Sequence, residues 1–248
     1  IASGNQNLRA KETGAHELIE VTRQFNAMLD QIDQLMAAIR RQEETTRQYQ
    51  LQALSSQINP HFLYNTLDTI IWMAEFQDSQ RVVQVTKSLA TYFRLALNQG
   101  KDLISLSDEI NHIRQYLFIQ KQRYGDKLEY EIEENPAFDK LVLPKLVLQP
   151  LVENALYHGI KEKEGQGHIK LSVQKQDSGL VIRIEDDGVG FQDAGDSSQS
   201  QLKRGGVGLQ NVAQRLKLHF GEHYQMKIDS APSKGTTVEI YINRIETS

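Results

Sequence analysis

Asp186-Asp187-Gly188-Val189-Gly190, which follows the strand-like run Val181 to Ile184, decides how this chain is read. An Asp at a strand end can accept a hydrogen bond from an exocyclic amine such as that of adenine. Gly188 and Gly190 let the backbone turn and approach a flat ligand closely. Two further stretches bracket this one. Upstream, Glu153-Asn154-Ala155-Leu156-Tyr157-His158-Gly159 falls inside a helical pattern; downstream, Gly206-Val207-Gly208-Leu209 opens a helix. Asn154 offers a neutral oxygen suited to Mg²⁺, an ion that also keeps waters and phosphate oxygens in its shell. Gly206 and Gly208 leave N–H groups open at a positive helix end, which suits phosphates. Between the last two stretches lies Gln192 to Gly205, rich in Ser, Gln, Asp and Gly. It could close as a lid, with Lys203 and Arg204 facing phosphates. Each motif alone is weak; the ordered trio with a lid between its last two members is specific.

The surrounding periodicity supplies a fold for that trio. Leu128, Tyr130 and Ile132 alternate as a strand, and so do Ile169, Leu171 and Val173, which turn at Asp177-Ser178-Gly179 and return through Val181 to Ile184. Met226 and Ile228 face Val238, Ile240 and Ile242 across Pro232-Ser233-Lys234-Gly235, giving a second hairpin. Helical segments stand between them at about 144–159 and 207–220. The expectation is an α+β sandwich, one mostly antiparallel sheet with helices on one face. A Rossmann unit would need its glycines early in a βαβ element, and here they come late.

The first half of the chain has a helical period. Residues 16–56 contain no Pro or Gly, and Phe25, Leu29, Ile32, Met36 and Ile39 recur at four- and three-residue steps, the seam of a two-stranded coiled coil. A further helix carries two apolar faces: one from Leu51 through Leu54, Ile58, Phe62 and Thr69 to Met73, the other through Leu63, Leu67, Ile70 and Ala74. A helix apolar on two sides wants partners on two sides. Asp78 or Ser79 caps the next helix, which buries Val82, Val85, Leu89, Tyr92, Phe93 and Ala96. Two helices make half of a four-helix bundle, and a second copy of the chain would supply the rest. Ser107-Asp108-Glu109 starts a third helix, ended by Gly125-Asp126.

Composition limits the alternatives. The formal net charge of the 248 residues is -4, unlike a nucleic-acid binder, which concentrates basic side chains. There is no cysteine, so disulfides and thiolate metal sites are excluded. No run approaches the ~20 apolar residues of a membrane helix, and the start, Ile1-Ala2-Ser3-Gly4, has no secretory pattern and no initiator methionine.

Of seven histidines, His61 stands out by its setting, Gln57-Ile58-Asn59-Pro60-His61-Phe62-Leu63-Tyr64-Asn65. Gln57, His61, Asn65, Asp68 and Trp72 form one helical stripe between the two apolar faces, so His61 would face solvent on a rigid support. Pro60 removes a backbone donor and tends to kink the helix there. Imidazole is a competent nucleophile at neutral pH.

The trio resembles the N box and the two glycine boxes of the ATP-binding fold shared by gyrase, Hsp90, histidine kinases and MutL. The resemblance implies that Asn154 binds magnesium and Asp186 reads adenine, with Gly188, Gly190, Gly206 and Gly208 flanking the lid. Gly235-Thr236-Thr237 resembles the closing strand that lines the adenine pocket, and Leu209 follows the last glycine box. Where histidine kinases commonly carry Lys or Arg, three residues after the box Asn, this chain has Tyr157; phosphate contact would fall to His158, Lys161, Lys203 or Arg204.

The block around His61 resembles the Pro-His-Phe-Leu-Tyr-Asn segment of YesM/LytS-type sensor histidine kinases of two-component systems. His16-Glu17-Leu18 and Phe25-Asn26-Ala27-Met28-Leu29 resemble the end of a HAMP linker. The resemblance implies ATP-dependent autophosphorylation of His61 and transfer to an Asp of a response regulator. It also implies a homodimer, and a membrane anchor preceding this part, which would lie on the cytoplasmic side of the cell membrane. The implied organisation is a HAMP-like linker at 1–35, a coiled-coil signalling helix at 36–56, dimerisation and phospho-acceptor helices with a connecting helix at 57–124, and an ATP-binding domain at 125–248. The usual acid after the acceptor His is Phe62 here, so the base would be Glu153, Asp68 or solvent. Asn65 either orients water for dephosphorylating the regulator or is a surface Asn. Glu109 and Arg123 are read as structural. Two other readings stay open: a gyrase- or MutL-class ATPase, which would carry a water-activating Glu at the position of Pro150, and a non-catalytic dimeric relay.

Overall fold

The computed structural model describes residues 19–20, 23–32, 34–36, 60–98, 101–176, 179–191 and 206–243. The chain divides into two units, Ile1–Gln57 and Ile58–Ser248. In the first, residues 23–32 and 34–36 are helical, and Ile32 and Met36 of the expected seam are exposed. The remainder of the expected 16–56 helix lies outside the described residues, as do Leu51, Leu54 and Ile58 of the next apolar face and the Gln57–Asn59 residues before Pro60.

The second unit opens with a helical hairpin, α1 (Pro60–Glu75) and α2 (Ser79–Leu97). Gln77 takes a positive φ of 58° in the tight turn, and the Asp78 carboxylate caps α2 by accepting from the Arg81 N–H at 3.1 Å. Asn98 ends α2 in the left-handed conformation. A three-residue strand β1 (Leu103–Ser105) leads into α3 (Leu106–Tyr124). There Ser105 accepts from the Asp108 N–H at 3.1 Å while its hydroxyl donates to the Asp108 carboxylate at 2.7 Å. Helix α3 begins at Leu106 and ends on Gly125, close to the boundaries read from the sequence.

Beyond α3 come β2 (Leu128–Glu133), β3 (Val142–Pro144), α4 (Gln149–Asn154) with a π-helical turn at Ala155–Ile160, β4 (Gly167–Gln176), β5 (Gly179–Asp186), α5 (Gly206–Phe220), β6 (Tyr224–Ala231) and β7 (Gly235–Ile242). The main sheet has the order β2-β4-β5-β7-β6. Both expected hairpins form: Leu171 faces Ile184 and Val173 faces Ile182, while Met226 faces Ile240 and Ile228 faces Val238. The sheet is antiparallel except at one edge, where β2 runs parallel to β4. That pairing requires a crossover, which α4 and the turn after it provide. A second small sheet pairs β1 with β3 antiparallel; strands of three residues carry no period by which a sequence would mark them.

One continuous apolar cluster runs from Phe62, Val85, Leu89 and Tyr92 through α3 to Leu156, Ile184, Val212 and Ile240. The hairpin and the five-stranded sheet therefore share a core. The first apolar face of α1 is in it, through Phe62 at 2% exposure. The second joins it only in part. Leu63 and Ile70 pack against the cluster half-buried, while Leu67 is exposed, as are Ile71, Trp72 and Phe76 beside it.

Candidate functional site

The site is built on α4. Its approach is held by Glu109 of α3, a fully buried carboxylate that accepts from the N–H groups of Leu146 and Leu148, both at 2.9 Å. Burial pushes the Glu109 carboxyl above its ordinary range, and the backbone donors at Leu148 and Leu146 oppose that rise. Glu109 thus serves the structure, as expected of it. Past Asn154 the helix widens: the Lys161 N–H reaches back five residues to the Leu156 carbonyl at 2.8 Å. Gly159 sits in this widened turn and is buried.

Gly159 faces the loop that leaves β5. A Cβ on Gly188 would stand 2.3 Å from the Gly159 Cα, and one on Gly159 would stand 2.6 Å from Asp186 Oδ1. The Val189 N–H donates to the Gly159 carbonyl at 3.3 Å. Asp186 Oδ1 accepts from the Gly188 N–H at 2.9 Å. Burial raises the Asp186 carboxyl to about 6, against the lowering effect of the Gly188 and Thr236 N–H donors. On the far side, Ser230 Oγ accepts from the Phe191 N–H at 3.0 Å, donates to the Gly235 carbonyl at 3.1 Å and lies 3.0 Å from Thr236 Oγ1. Gly235, at φ +83°, passes so close to Asp186 that a Cβ there would stand 1.8 Å from its carbonyl oxygen.

These elements enclose a cavity of about 310 Å³. Asn154, His158, Asp186, Gly190, Leu209 and Thr236 from the expected set all line it. Its apolar walls, among them Leu151, Ile184, Phe191, Ile228 and Val238, carry no mark of a site in the sequence, whereas Gly159 closes the first of the three motifs. Ser230 has one usable signal: it is the one hydroxyl on the inward rhythm Met226, Ile228, Ser230. A mostly apolar cavity with one carboxylate in its lining suits a purine whose exocyclic amine points at Asp186.

Other expected residues stand elsewhere. Gly188 does not line the cavity; its N–H donates to Asp186 Oδ1. Thr237 alternates to the opposite face of β7 from Thr236 and pairs in register with Glu185. Lys161 does not line the cavity; its ammonium lies 5.9 Å from the Tyr157 ring centroid, a cation–π contact. Gly206 opens α5, and Gly208 has room to spare, since a Cβ there would first meet Pro150 at 3.8 Å. Lys203 and Arg204 lie outside the described residues. Glu153 does not line the cavity; it accepts from Gln149 Nε2 of the same helix at 2.8 Å. At the position of a gyrase-type water-activating Glu, Pro150 carries no carboxylate.

His61 is exposed in the first turn of α1, while Phe62 beside it is buried against Tyr92 and Tyr116 at centroid distances of 4.8 and 5.2 Å. Asn65 is more enclosed than a surface Asn: its Nδ2 is buried with no hydrogen-bond partner among the described residues. It lines a separate open groove of about 560 Å³ with Asp68, Trp72, Arg81 and Arg123.

Two family models match the chain: histidine kinase over residues 49–128, and histidine kinase-, DNA gyrase B-, and HSP90-like ATPase over residues 140–245. The sensor histidine kinase YesM of Bacillus subtilis is 32% identical over 222 residues, covering 90% of this chain and 38% of that protein. The sensor protein LytS of Streptococcus mutans is 36% identical over 197 residues, covering 76% of this chain and 33% of that protein. Protein YwpD of Bacillus subtilis is 34% identical over 252 residues, covering 99% of this chain and 88% of that protein. Among solved structures, the histidine kinase domain of a blue-light activated histidine kinase from Erythrobacter litoralis aligns with a TM-score of 0.46 at 20% identity, covering 80% of this chain and 95% of that one. The chain spans 38% and 33% of the lengths of the YesM and LytS sensor proteins it matches.

Proposed function

This chain belongs to the histidine kinase family, and on that premise we propose that it uses ATP to phosphorylate its own His61 and passes the phosphoryl group to an Asp of a response-regulator receiver domain. The observation that carries the nucleotide half is the cavity that gathers residues from all three boxes around Asp186. Adenine lies between Ile184, Phe191 and Val238 with its amine on Asp186, and the phosphates run toward His158 and the start of α5. Magnesium would be held by Asn154 together with phosphate oxygens and water, since the described residues contain no cluster of three His, Cys, Asp or Glu side chains to cage it. When bound, it supplies neutralisation of phosphate charge.

An imidazole nitrogen of His61 attacks the γ-phosphorus. The new N–P bond forms as the P–O bond to ADP breaks, ADP leaves, and the ring gives up one proton, for which Glu153 is our assigned acceptor. Asn65, one turn beyond His61, orients the water that dephosphorylates the regulator. A second copy of the chain covers the open face of α1 at Leu67, Ile71, Trp72 and Phe76, completing a four-helix bundle, and the N-terminal helix forms a coiled coil leading from a HAMP-like segment. Relatives that are sensor kinases support attachment to a membrane with this part on the cytoplasmic side. No helix among the described residues is long and apolar enough to cross one.

The test is a label experiment. γ-Labelled ATP should yield a phosphoramidate on the protein, stable to base and labile to acid, that vanishes in His61→Gln; label persisting in that variant sinks the assignment. Mixing His61→Gln with Asn154→Ala then reports whether the phosphoryl group crosses between subunits.

A further inference from the structure

A chain of contacts joins the residue beside the acceptor to the residue beside the magnesium-binding position. Phe62 packs on Tyr92, at 4.8 Å between centroids. Tyr92 Oη accepts from Gln149 Nε2 at 2.7 Å. The same amide nitrogen donates to Glu153 Oε1 at 2.8 Å. Glu153 directly precedes Asn154. A carboxamide has two N–H bonds on one nitrogen, so both contacts can be made at once, and in fixed relative directions.

The environment makes these bonds consequential. Tyr92 is 1% exposed, and Tyr116 is fully buried beside it. The Tyr92 hydroxyl is therefore costly to leave unpaired, while Gln149 and Glu153 at the other end of the chain are half-buried. Gln149 stands on the first turn of α4 and Tyr92 near the end of α2. Their bond therefore links the acceptor hairpin to the nucleotide helix. A second, longer link at 3.4 Å joins Gln120 of α3 to Tyr157 after α4.

We propose that Gln149 is a positioning residue for autophosphorylation: by donating to Tyr92 and Glu153 together, it aims the Glu153 carboxylate only while the acceptor hairpin is seated on the nucleotide helix. The role rests on the assignment of His61 and Glu153 made above. It predicts that the Tyr92–Gln149 bond affects the chemical step and not nucleotide binding, because neither residue lines the nucleotide cavity.

The experiment measures single-turnover autophosphorylation and ATP affinity in Tyr92→Phe, Gln149→Ala and the double variant, in the whole dimer. Tyr92→Phe keeps the ring and its packing and removes only the hydroxyl. Each single variant should slow the maximal rate by on the order of tenfold, with ATP affinity held within about twofold. The double variant should be little worse than Gln149→Ala, since both cut the same link. Gln149→Glu supplies a readout that packing alone does not: its carboxylate cannot donate at neutral pH and repels Glu153, but regains one donor on protonation. Its rate relative to wild type should therefore rise as pH falls from about 8 to 6. Wild-type rates in Tyr92→Phe, additive losses in the double variant, or a flat pH ratio in Gln149→Glu would each overturn the coupling. Label on His61→Gln overturns instead the assignment beneath it, and a silent His61→Gln with unaffected Gln149→Ala overturns the coupling alone.

Discussion

Gly188 lies so close to the Gly159 backbone that a Cβ on it would stand 2.3 Å from the Gly159 Cα. Asp186 Oδ1 lies at the same contact, 2.6 Å from where a Gly159 Cβ would stand and 2.7 Å from where a Gly188 Cβ would stand. The Asp186 carboxylate is thus aimed by two absent side chains.

Gly188→Ala should therefore push the β5 loop off the π-helical turn and rotate Asp186 away from the cavity. The backbone at Gly159 cannot yield as a flexible side chain would, so we expect a stability loss of about 1–3 kcal/mol and a loss of nucleotide binding. Thermal melting with and without Mg-ATP checks both; a variant that still gains its full ligand-induced rise in Tm would show that this contact does not aim Asp186.

Asp186→Asn separates stability from function. The wild-type carboxyl is raised to about 6 from 3.8 by burial, so the folded state binds protons more readily than the unfolded state. Its ionised form is then a cost to folding above pH ~6, of about 1–3 kcal/mol, that fades as pH falls toward 4. The Asn variant should melt higher than wild type at pH 8, lose that advantage near pH 4, and bind ATP far more weakly. Wild-type ATP affinity should itself weaken as pH falls through about 6. An unchanged apo Tm at pH 8 would show that the Asn loses as much in hydrogen bonding as it gains in solvation.

Much of this is legible in the sequence for a physical reason. The two hairpins can be read because period-2 alternation survives wherever one face of a sheet is buried, as at Met226, Ile228, Val238 and Ile240. The three boxes can be read because glycines and a carboxylate, gathered at strand and helix ends in a fixed order, are rarely needed for packing alone. What stays hidden is what depends on approach rather than type. Nothing local marks Gly159 as the partner of Gly188, or Lys161 as lying on Tyr157 rather than facing the cavity. The parallel pairing of β2 with β4 is compatible with the mostly antiparallel sheet expected, but its place could not be read, because a strand's sequence carries no sign of its neighbour's direction. Gln149 has the look of an ordinary helix-start residue; only the folded chain brings Tyr92, 57 residues earlier, against its amide.

Glu109 offers a test of the scaffold apart from the chemistry. Its carboxylate is the acceptor for two N–H groups ahead of α4, and burial has already made its ionised form costly. Glu109→Ala should leave those donors unpaired and loosen the approach to α4, at about 2–4 kcal/mol. Urea unfolding should show the loss as a lower midpoint, and hydrogen exchange should show faster exchange at Leu146 and Leu148. Protection unchanged at those two amides would mean the carboxylate is not what holds them.

The exposed face of α1 predicts association. Ile71 is 55% exposed and Trp72 is 61% exposed, stacked on Phe76 at 6.3 Å. A charge introduced by Ile71→Asp would meet water in the single chain but an apolar partner in a bundle. Sedimentation should therefore show a dimer for wild type and a shift toward monomer for the variant, with ATP affinity retained. A dimer that persists unchanged would place the interface on another face.

The parallel edge strand also constrains how the chain is made. Residues 128–133 cannot find their partner until residues 167–172 have been synthesised, and α4 with its widened turn lies in between. On a ribosome, β2 must wait beside α3 with its hydrogen-bonding edge open, while the helix that carries Asn154 emerges and docks. The antiparallel hairpins that follow close locally and soon after translation. The helix that carries Asn154 is thus synthesised before β4 can take up the pairing edge of β2, and slow synthesis across 134–166 is where an unpaired β2 is most exposed to capture by another nascent chain.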